Sequence, residues 1–267
     1  ARRYRGTMLL RIEDTDVERS KQHHAEQIIS SLHWLGVEWD EGPVYQSDRL
    51  ARYRERADEL VATRKAYRCY CTVEELEAER SAAETAGNTY HYSGRCRAVA
   101  EPGGPVSNAP YVIRFKVETG PIEFHDLIHG DMRFDGDLID DFVLIRSHGH
   151  PTYHLSVVVD DIDMDITHVA RGDDHLSNTP KHVLLFRAFG RDIPVFAHLP
   201  LILGSDRKRL SKRTGATSAE EYRDLGILPE ALFNFLTLLG WSPGGDREIF
   251  SRDDAAASFD LSDVNKA

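Results

Sequence analysis

The sequence lacks any apolar run long enough to cross a bilayer, and it lacks an N-terminal signal peptide, so we expect a cytoplasmic protein. It has only three cysteines, and this small odd number does not suggest a framework of disulfides. Cations are also in deficit, because 33 lysines and arginines face 44 acidic residues, a formal net charge of −11. That balance argues against nonspecific nucleic-acid binding driven by overall charge, but it allows a nucleic-acid partner bound through local basic patches.

The chain does contain enough apolar sequence for a sizeable core. Its 267 residues, 41% of them hydrophobic, are typical of one large domain or of a domain that carries an insertion. The chain starts at Ala1 without a methionine and enters a predicted strand almost at once, and it stops soon after a helix-like segment. We therefore expect these residues to be an excerpt of a longer protein.

The most informative stretch covers residues 201–213. It begins as an apolar run typical of a buried parallel strand and continues through a Gly-Ser-Asp turn. Five cations follow around Leu210 and Ser211: Arg207, Lys208, Arg209, Lys212 and Arg213. A strand that holds the base of such a basic loop suits the binding of polyphosphate, because the cations meet its negative charge. A solvated basic loop is the plainer interpretation, and the charges alone do not decide between the two.

A short predicted strand over residues 7–12 runs into a group of carboxylates, Glu13, Asp14 and Asp16. Ligands of open parallel α/β sheets bind just outside the carboxyl ends of the strands, so these groups could receive an ammonium group, a ribose or a metal. Alternatively, Asp16 is the N-cap of the next helix. The two roles are compatible, because one carboxylate can cap the helix while another binds a ligand.

The spacing of apolar residues predicts several helices. A helix over residues 25–35, ended by Gly36, has a face that we assign to the core: Ile28, Ile29, Leu32 and Leu35. Residues 39–43 are predicted as a turn. The helix that follows has these residues on one face: Tyr53, Ala57 and Leu60. Near the C-terminus the pattern is helix, break, helix, and the last apolar face is most simply core: Phe233, Phe235, Leu236 and Leu239.

In the middle of the chain, apolar and polar residues alternate within short segments. Residues 111–134, with glycine turns, predict antiparallel strands, and residues 141–146 predict a buried strand. Residues 153–159 have the apolar composition of a strand, but the sequence alone leaves a helix equally open. The acidic residues from 160 onwards are predicted as a loop.

Three thiols, Cys69, Cys71 and Cys96, fit a small zinc knuckle, because thiolates select zinc and a cytoplasmic chain keeps them reduced. Zinc needs a fourth ligand, and the candidates are Tyr92, His91 or a water. The alternative is three thiols that bind no metal. The run between Cys71 and Tyr92 has the composition of a helix with a solvated face.

Arg171 follows a predicted strand over residues 166–170 and lies beside carboxylates in the sequence. A guanidinium at a strand end can hold a carboxylate through two parallel contacts, which makes Arg171 a candidate for substrate binding. A structural pair between this arginine and an aspartate fits the residues equally well. Ser177 or Asn178 is predicted to cap the helix that follows.

Four segments, in order along the chain, resemble one known family. They are LRIEDTD at residues 10–16, RGDDHLSNTP at residues 171–180, RLSKR at residues 209–213 and LPEALFNFLTLLGWS at residues 228–242. The third resembles the KMSKS loop of class I aminoacyl-tRNA synthetases in the KLSKR form of glutamyl-tRNA synthetases, and the others are similar to segments of the same family. The resemblance extends over nearly the whole chain.

The resemblance implies an α/β fold with the Rossmann-like parallel sheet of class I synthetases. The implied divisions are residues 1–68 and 138–215 for the two parts of the catalytic domain, the second with the KMSKS-like loop. Residues 69–137 would form a mixed α/β insertion that binds the acceptor end of tRNA and carries the zinc knuckle. Residues 216–267 would begin the helical region that contacts the tRNA stem.

The resemblance also implies how the substrates are bound. Glu13 would receive the α-ammonium group of glutamate, and Tyr153 and Arg171 would recognise its side-chain carboxylate. Asp16 would lie near the 3′ end of the tRNA. The implied ATP-binding residues are Asp174, His175, Ile202, Leu210 and Lys212.

The implied reaction joins glutamate to ATP, giving glutamyl-adenylate and pyrophosphate, and then transfers glutamate to the terminal ribose of tRNA(Glu). Lys212 would neutralise the polyphosphate as it leaves, with Arg209 and Ser211 beside it in the catalytic loop. Magnesium would come with the ATP. We expect a monomer, with tRNA(Gln) as a further candidate acceptor.

The sequence departs from the family pattern in several places. Ala98 stands where one variant of the zinc knuckle has histidine, while Tyr92 and Cys96 match the Tyr-x-x-x-Cys variant. Asp173 replaces the usual glutamate, which keeps the carboxylate but shortens its reach. No HIGH-like tetrapeptide occurs near the start, so we expect these 267 residues alone to have little activity.

Other functions remain open at this point. An enzyme that attaches glutamate to a queuosine-type base in tRNA(Asp) would use the same catalytic core, and the Tyr-x-x-x-Cys pattern favours it. The segments DDHLSNTPKH and KRLSKRTGATS favour the synthetase instead. A tRNA-binding or metal-binding module that no longer activates an amino acid is the non-enzymatic alternative. Glutaminyl-tRNA synthetase is less favoured, because Arg171 suits a carboxylate better than an amide.

Overall fold

The computed structural model of the chain describes residues 1–15, 22–99, 109–201 and 218–265. The strands in these ranges are β1 (Leu9–Ile12), β2 (Glu41–Tyr45), β3 (Ala66–Cys69), β4 (Val112–Phe115), β5 (Pro121–Asp126), β6 (Gly130–Asp135), β7 (Val143–Ile145), β8 (His168–Gly172) and β9 (Val195–Leu199). The helices are α1 (Gln22–Trp34), α2 (Leu50–Ala62), α3 (Val73–Thr85), α4 (Arg95–Val99), α5 (Tyr153–Asp163), α6 (Thr179–Ala188), α7 (Ala219–Asp224), α8 (Pro229–Leu238) and α9 (Arg252–Ser258).

The described strands form three sheets. β1 and β2 are parallel, and β3, β4 and β7 form an antiparallel sheet in that order. The third sheet has the order β6-β5-β9-β8, in which β5 and β6 are an antiparallel hairpin while β9 runs parallel to both β5 and β8. Helices α1 and α6 each connect two parallel strands, so the fold contains the β–α–β units of a nucleotide-binding α/β protein.

The largest core lies between the antiparallel sheet and helices α2, α5 and α6. The face predicted for α2 is confirmed, because Tyr53, Ala57 and Leu60 are all buried. Ile113 of β4 and Leu144 of β7, both fully buried, belong to the same cluster. This packing fixes α5, whose first residue, Tyr153, belongs to the candidate site.

A second core joins the β5–β6 hairpin to the sheet of parallel strands. Ile122 and Phe124 of β5 pack with Phe196 of β9 and with Val183 of α6. The hairpin was predicted as part of the insertion and β9 follows the helix of the second catalytic part, so one sheet contains residues from both segments. The domain boundaries themselves stay a prediction.

Two predictions about secondary structure were wrong. Residues 39–43 were predicted as a turn, but Glu41–Tyr45 form β2, which pairs with β1 through long-range hydrogen bonds that no local signal reveals. Asp160 and Asp161 were predicted in a loop, yet they lie in the last turns of α5 and are buried. Burial is possible there because arginines from distant parts of the chain pair with both carboxylates. The ambiguous residues 153–159 are helical.

Only the first residue of the strand predicted from Leu201 belongs to the described part of the chain. The strand β9 ends at Leu199, and Leu201 lies outside it. Pro200 follows β9 directly, and a proline has no N–H to continue the ladder of hydrogen bonds. The rest of the predicted strand, and the basic loop after it, lie outside the described residues.

Some predicted core residues are exposed. In α1, Ile28 is 53% exposed, because only one side of this helix meets the protein and Ala25 is its most buried residue. In α8, whose one buried residue among those described is Leu232, three of the four assigned residues are exposed: Phe235, Leu236 and Leu239. The fourth, Phe233, packs on a small cluster around Trp241.

Other local predictions are confirmed. Gly36 follows the end of α1 with a φ of +66°, a conformation that favours glycine. Helix α3 is solvent-exposed as predicted, and it begins with a capping box in which Thr72 and Glu75 each accept the other's backbone N–H. None of the helices in the described part of the chain has the length and apolar character that a membrane span requires.

Candidate functional site

Arg171 lies near the end of β8 and faces the start of α5. Its Nη1 donates to the hydroxyl oxygen of Tyr153 at 3.3 Å, so two of the residues predicted to bind a carboxylate lie together. Because β8 and β9 are parallel and in register, Arg171 is paired with His198 on the neighbouring strand. Its Nε donates to His198 Nε2 at 3.1 Å.

The remaining N–H groups of Arg171 also meet uncharged acceptors. Nη1 donates to His182 Nδ1 at 3.2 Å, and Nη2 donates to Thr179 Oγ1 at 2.8 Å and, more weakly, to the carbonyl oxygen of His175 at 3.4 Å. Within the described ranges Arg171 forms no ion pair with a carboxylate. The structural Arg–Asp pair considered from the sequence is therefore not formed among these residues, and the hydrogen bonds of the half-buried guanidinium there go to uncharged groups.

A second group of charges surrounds the end of β1. Arg11 Nη1 donates to Asp161 Oδ1 at 2.9 Å, and Nη2 lies 3.8 Å from Glu13 Oε1. Burial raises the pKa of the Asp161 carboxyl, and Arg11 opposes that shift. The Glu13 side chain keeps 45% of its surface exposed, and the loss of water around its carboxyl raises its pKa. Glu13 is thus an accessible carboxylate held close to an arginine.

The charged groups near β1 and those near β8 affect one another's pKa values. The negative charge of Glu13 contributes to the raised pKa of Tyr153, after burial and the opposing charge of Arg171. His175 in turn lowers the pKa of Glu13. A negative group, Glu13, and a positive group, Arg171, thus both lie within electrostatic range of Tyr153, an arrangement that suits a ligand that carries both an ammonium and a carboxylate.

Two of the residues predicted to bind ATP, Asp174 and His175, lie in the 3-10 turn Asp173–Asn178. His175 Nδ1 is 3.2 Å from the hydroxyl oxygen of Tyr153 and 3.4 Å from Asn178 Nδ2. Asn178 precedes α6 as predicted, although its side chain forms no cap hydrogen bond. Asp174 folds back over Gly172, so close that a Cβ added there would lie 2.7 Å from its Oδ1.

Several candidate residues lie outside the described part of the chain. They are Asp16, Ile202, Arg209, Leu210, Ser211 and Lys212. Their predicted roles in binding the tRNA end and ATP, and in catalysis, therefore stay predictions.

The three cysteines form one cluster at the end of β3. Their Sγ atoms all lie within 4.8 Å of one another, and those of Cys71 and Cys96 are 3.6 Å apart. The phenol oxygen of Tyr92 is 3.2 Å from Cys69 Sγ and 3.6 Å from Cys71 Sγ. With bonds of about 2.3 Å to sulfur and 2.0 Å to oxygen, the ligand atoms of a tetrahedral zinc lie about 3.5–3.8 Å apart. The two 3.6 Å distances match this range, and the distance from Tyr92 to Cys69 is shorter. His91 instead pairs with Asp140 at 3.0 Å.

Sequence analysis missed the residues that form hydrogen bonds with the site residues or with their neighbours. They are Arg11, Asp126, Asp160, His182 and His198. A charged side chain inside an otherwise apolar predicted strand is a usable signal, and Arg11 has it, whereas His198 lies before the strand predicted from Leu201. Asp126, Asp160 and His182 carry no comparable signal, because their partners lie on other elements.

Comparisons with known proteins agree with one another. A family model described as tRNA synthetases class I (E and Q), catalytic domain, matches residues 1–267. A glutamate–tRNA ligase of Pelobacter propionicus is 52% identical over 269 residues, and one of Legionella pneumophila is 51% identical over 267 residues. Each alignment covers 100% of this chain but 56% of the relative, so the chain spans little more than half the length of these curated relatives.

A solved structure is also similar to this one. It is a crystal structure of a glutamate tRNA ligase from Elizabethkingia meningosepticum in complex with its amino acid, with a TM-score of 0.89 and 35% sequence identity. The match covers 100% of this chain and 61% of that chain. The mixed α/β fold with its parallel strands therefore matches the Rossmann-like fold of a class I synthetase, as predicted.

Proposed function

Because the chain belongs to the family of tRNA synthetases class I (E and Q), catalytic domain, we propose that the full-length protein joins L-glutamate to tRNA(Glu) through glutamyl-adenylate. The observation that carries this proposal is the environment of Arg171. Among the described residues its guanidinium donates to uncharged groups, and it lies beside Tyr153, whose pKa also responds to the charge of Glu13. The relatives named as glutamate–tRNA ligases support the same reaction.

Charge complementarity supports glutamate as the amino acid. Arg171 would bind the side-chain carboxylate with help from the Tyr153 hydroxyl, and Glu13 would bind the α-ammonium group. An amide in place of the carboxylate would leave the arginine charge uncompensated, so glutamine is disfavoured. Arg11 supports this assignment, because its Nη2 lies 3.8 Å from Glu13 Oε1 and attracts that carboxylate.

ATP would bind on the other side of the site, with magnesium on its phosphates. Asp174 and His175 are proposed to approach the nucleotide, together with Ile202, Leu210 and Lys212. Lys212, assisted by Arg209 and Ser211, would stabilise the charge of the departing pyrophosphate, and Asp16 would lie near the tRNA 3′ end. Catalysis of this kind needs positioning and charge stabilisation and no protein nucleophile.

The supporting parts of the protein are proposed on the same basis. Cys69, Cys71, Tyr92 and Cys96 would hold a structural zinc in the acceptor-binding insertion, residues 69–137. Residues 1–68 and 138–215 would form the catalytic domain, and residues 216–267 would lead towards the tRNA stem. We propose a monomer, with tRNA(Gln) as a candidate second acceptor.

The test uses the full-length protein with labelled glutamate, ATP and purified tRNA. We expect an alkali-labile label on the 3′ adenosine of tRNA(Glu), and a parallel reaction with tRNA(Gln) decides whether it is a second acceptor. Label on an internal anticodon base of tRNA(Asp) would instead identify the modification enzyme. Bound tRNA without label, and without ATP–pyrophosphate exchange, would leave a binding module.

Two arginine variants test the site itself. Arg171→Met should raise the KM for glutamate by at least about 100-fold, since a buried charged contact is lost, while the KM for ATP changes little. Arg191→Met is the matched control, because Arg191 is exposed and pairs with the exposed Asp165 at 3.6 Å. A glutamate KM in Arg171→Met equal to that of the control would refute the proposed binding mode.

A further inference from the structure

Three adjacent strands each contribute one residue to a row of polar groups that ends at Arg171. Asp126 is the last residue of β5, His198 lies on β9 and Arg171 lies on β8. The Asp126 carboxylate is 2.6 Å from His198 Nδ1, and Arg171 Nε is 3.1 Å from His198 Nε2. Both Asp126 and His198 are completely buried. A row of carboxylate, imidazole and guanidinium therefore crosses the sheet.

The hydrogen bonds of Asp126 determine which imidazole nitrogen carries the proton. Its Oδ1 accepts the backbone N–H groups of Ile128 at 2.9 Å and of His129 at 3.0 Å. Although burial opposes it, these bonds and the one from His198 lower the pKa of the Asp126 carboxyl, so it is an anion that only accepts. The proton of a neutral His198 then lies on Nδ1, and Nε2 presents a lone pair.

That lone pair fixes the Nε edge of the guanidinium. His198 Nε2 accepts from Arg171 Nε and also lies 3.0 Å from Thr179 Oγ1, which itself accepts from Arg171 Nη2. The contacts of Arg171 with Tyr153 and with the His175 carbonyl are longer, at 3.3 and 3.4 Å. The guanidinium is thus held by His198, Thr179 and His182, and its longest contacts, with the Tyr153 hydroxyl and the His175 carbonyl, are those that a ligand carboxylate could replace.

We infer that Asp126 and His198 are positioning residues that orient Arg171 for recognition of the substrate carboxylate. The inference rests on the proposed function, and it adds a reason why the plane of the guanidinium is fixed beside Tyr153. The anion at Asp126 acts through a neutral imidazole, so it orients the arginine without forming an ion pair that would cancel its charge.

The first test changes the proton position and little else. In Asp126→Asn, the amide oxygen can still accept the two backbone N–H groups, but its NH₂ faces His198 Nδ1. The imidazole proton then moves to Nε2, where it opposes the Nε–H of Arg171. We expect the KM for glutamate to rise about tenfold or more, with kcat and the KM for ATP much less affected. The ¹⁵N chemical shifts of His198 report the tautomer directly.

The second test distinguishes the roles of the two imidazole nitrogens of His198. His198→Gln places an amide oxygen near the position of Nε2, so it keeps an acceptor for Arg171 and loses the contact with Asp126. His198→Asn keeps a donor near the position of Nδ1 for Asp126 and loses the acceptor. Both variants disturb the same core, so a purely structural role predicts equal effects. The inference predicts that His198→Asn has the higher glutamate KM, by about fivefold or more.

The outcomes distinguish this inference from the proposed function. If Arg171→Met leaves the glutamate KM unchanged, the proposed binding mode fails. If Arg171→Met raises that KM but the two His198 variants have equal values, the positioning role is refuted and Arg171 binding stands. A changed tautomer in Asp126→Asn with a glutamate KM within about twofold of the wild type refutes it as well. Melting temperatures of all variants show that each is folded at the assay temperature.

Discussion

The phenol oxygen of Tyr92 lies 3.2 Å from Sγ of Cys69, so the tyrosine is beside the group of thiols that could hold a metal ion. Cys71 and Cys96 complete the cluster, and Arg95 Nε donates to Cys71 Sγ at 3.1 Å. Thiolates carry negative charge when they bind zinc, so an adjacent arginine stabilises the metal-bound form. Tyr92 is thus a chemically reasonable fourth ligand.

We therefore predict that the full-length protein binds one zinc ion at this cluster. Cys71→Ser should abolish stoichiometric zinc, and Tyr92→Phe should weaken zinc affinity by about tenfold or more, because losing a ligand costs at least as much as losing a residue that supports one. Metal analysis by mass spectrometry gives the stoichiometry, and competition with a chromogenic chelator gives the affinity.

Tyr90→Phe is the matched control for the zinc prediction. Tyr90 belongs to the same segment, but its hydroxyl donates to Glu79 at 3.4 Å and not to a thiol. It should keep the wild-type affinity. Equal affinity in Tyr92→Phe and Tyr90→Phe would show that a water or another group is the fourth ligand.

A buried aspartate links the end of β2 to helix α5. Asp160 is completely buried and accepts from Gln46 Nε2 at 2.8 Å, from the Tyr53 hydroxyl at 2.8 Å and from Arg49 Nε at 2.7 Å. Removing its charge leaves buried donors without their partner. We predict that Asp160→Asn lowers the free energy of unfolding by about 3 kcal/mol, measured by urea denaturation.

Asp165→Asn is the comparison for Asp160→Asn. Asp165 lies just after the same helix, its side chain is 88% exposed, and its φ of +50° is a conformation that asparagine also tolerates. Its variant should stay within about 0.5 kcal/mol of the wild type. If the two variants were equally stable, the hydrogen bonds of Asp160 would contribute nothing net to stability.

The prediction of Asp160 as a loop residue shows where sequence analysis was limited. Apolar spacing identified α2 correctly, because its core face repeats within 13 residues of one helix. The burial of Asp160 instead depends on Arg49 and Tyr53, which are 111 and 107 residues away in the chain. Local patterns report local periodicity, and they contain no information about a carboxylate that is neutralised by a distant element.

The candidate site shows the same contrast between residues that local motifs identify and residues whose positions depend on the whole fold. Glu13, Tyr153 and Arg171 were predicted through motifs, and the structure brings Tyr153 and Arg171 together, with Glu13 in electrostatic range of Tyr153. Asp126 and His198 could not be assigned to the site, since their positions depend on the parallel pairing of β5, β9 and β8. Strand order is a property of the whole fold, so residues that act through neighbouring strands are the hardest to predict.

Two glycines, Gly36 after helix α1 and Gly87 after helix α3, allow a paired test. Gly36 and Gly87 both have positive φ, of +66° and +71°. A Cβ at Gly36 would lie 1.3 Å from Arg252 Nη1, whereas a Cβ at Gly87 would meet no atom within 4 Å. Gly87→Ala should therefore cost only the conformational penalty of about 1–2 kcal/mol.

Gly36→Ala should cost roughly 1.5 kcal/mol more than Gly87→Ala. Arg252 Nη1 donates to the carbonyl oxygen of Leu35 at 2.6 Å, and its side chain must leave that position to admit the methyl group. Urea denaturation of both variants gives the difference. Equal costs would mean that Arg252 can move without losing a stabilising contact.

The last prediction concerns the pH dependence of stability and rests on His154. Burial, together with the positive charges of Lys181 and Arg171, lowers the pKa of His154 to about 4 in the folded protein. An unfolded histidine has a pKa of about 6.5, so the unfolded chain binds more protons between these two values. The contribution of His154 to stability is complete above pH 6.5 and is lost as the pH falls towards 4.

From pH 7 to pH 5 this single group should remove about 2 kcal/mol from the free energy of unfolding. His154→Gln cannot be protonated in this range, so its stability should fall by about 2 kcal/mol less than that of the wild type, as measured by urea denaturation at both pH values. His24→Gln, which changes an exposed histidine, should follow the wild type. A His154→Gln protein that lost as much stability as the wild type would show that folding does not suppress the protonation of His154, and that its burial beside His182 is compatible with a charged imidazole.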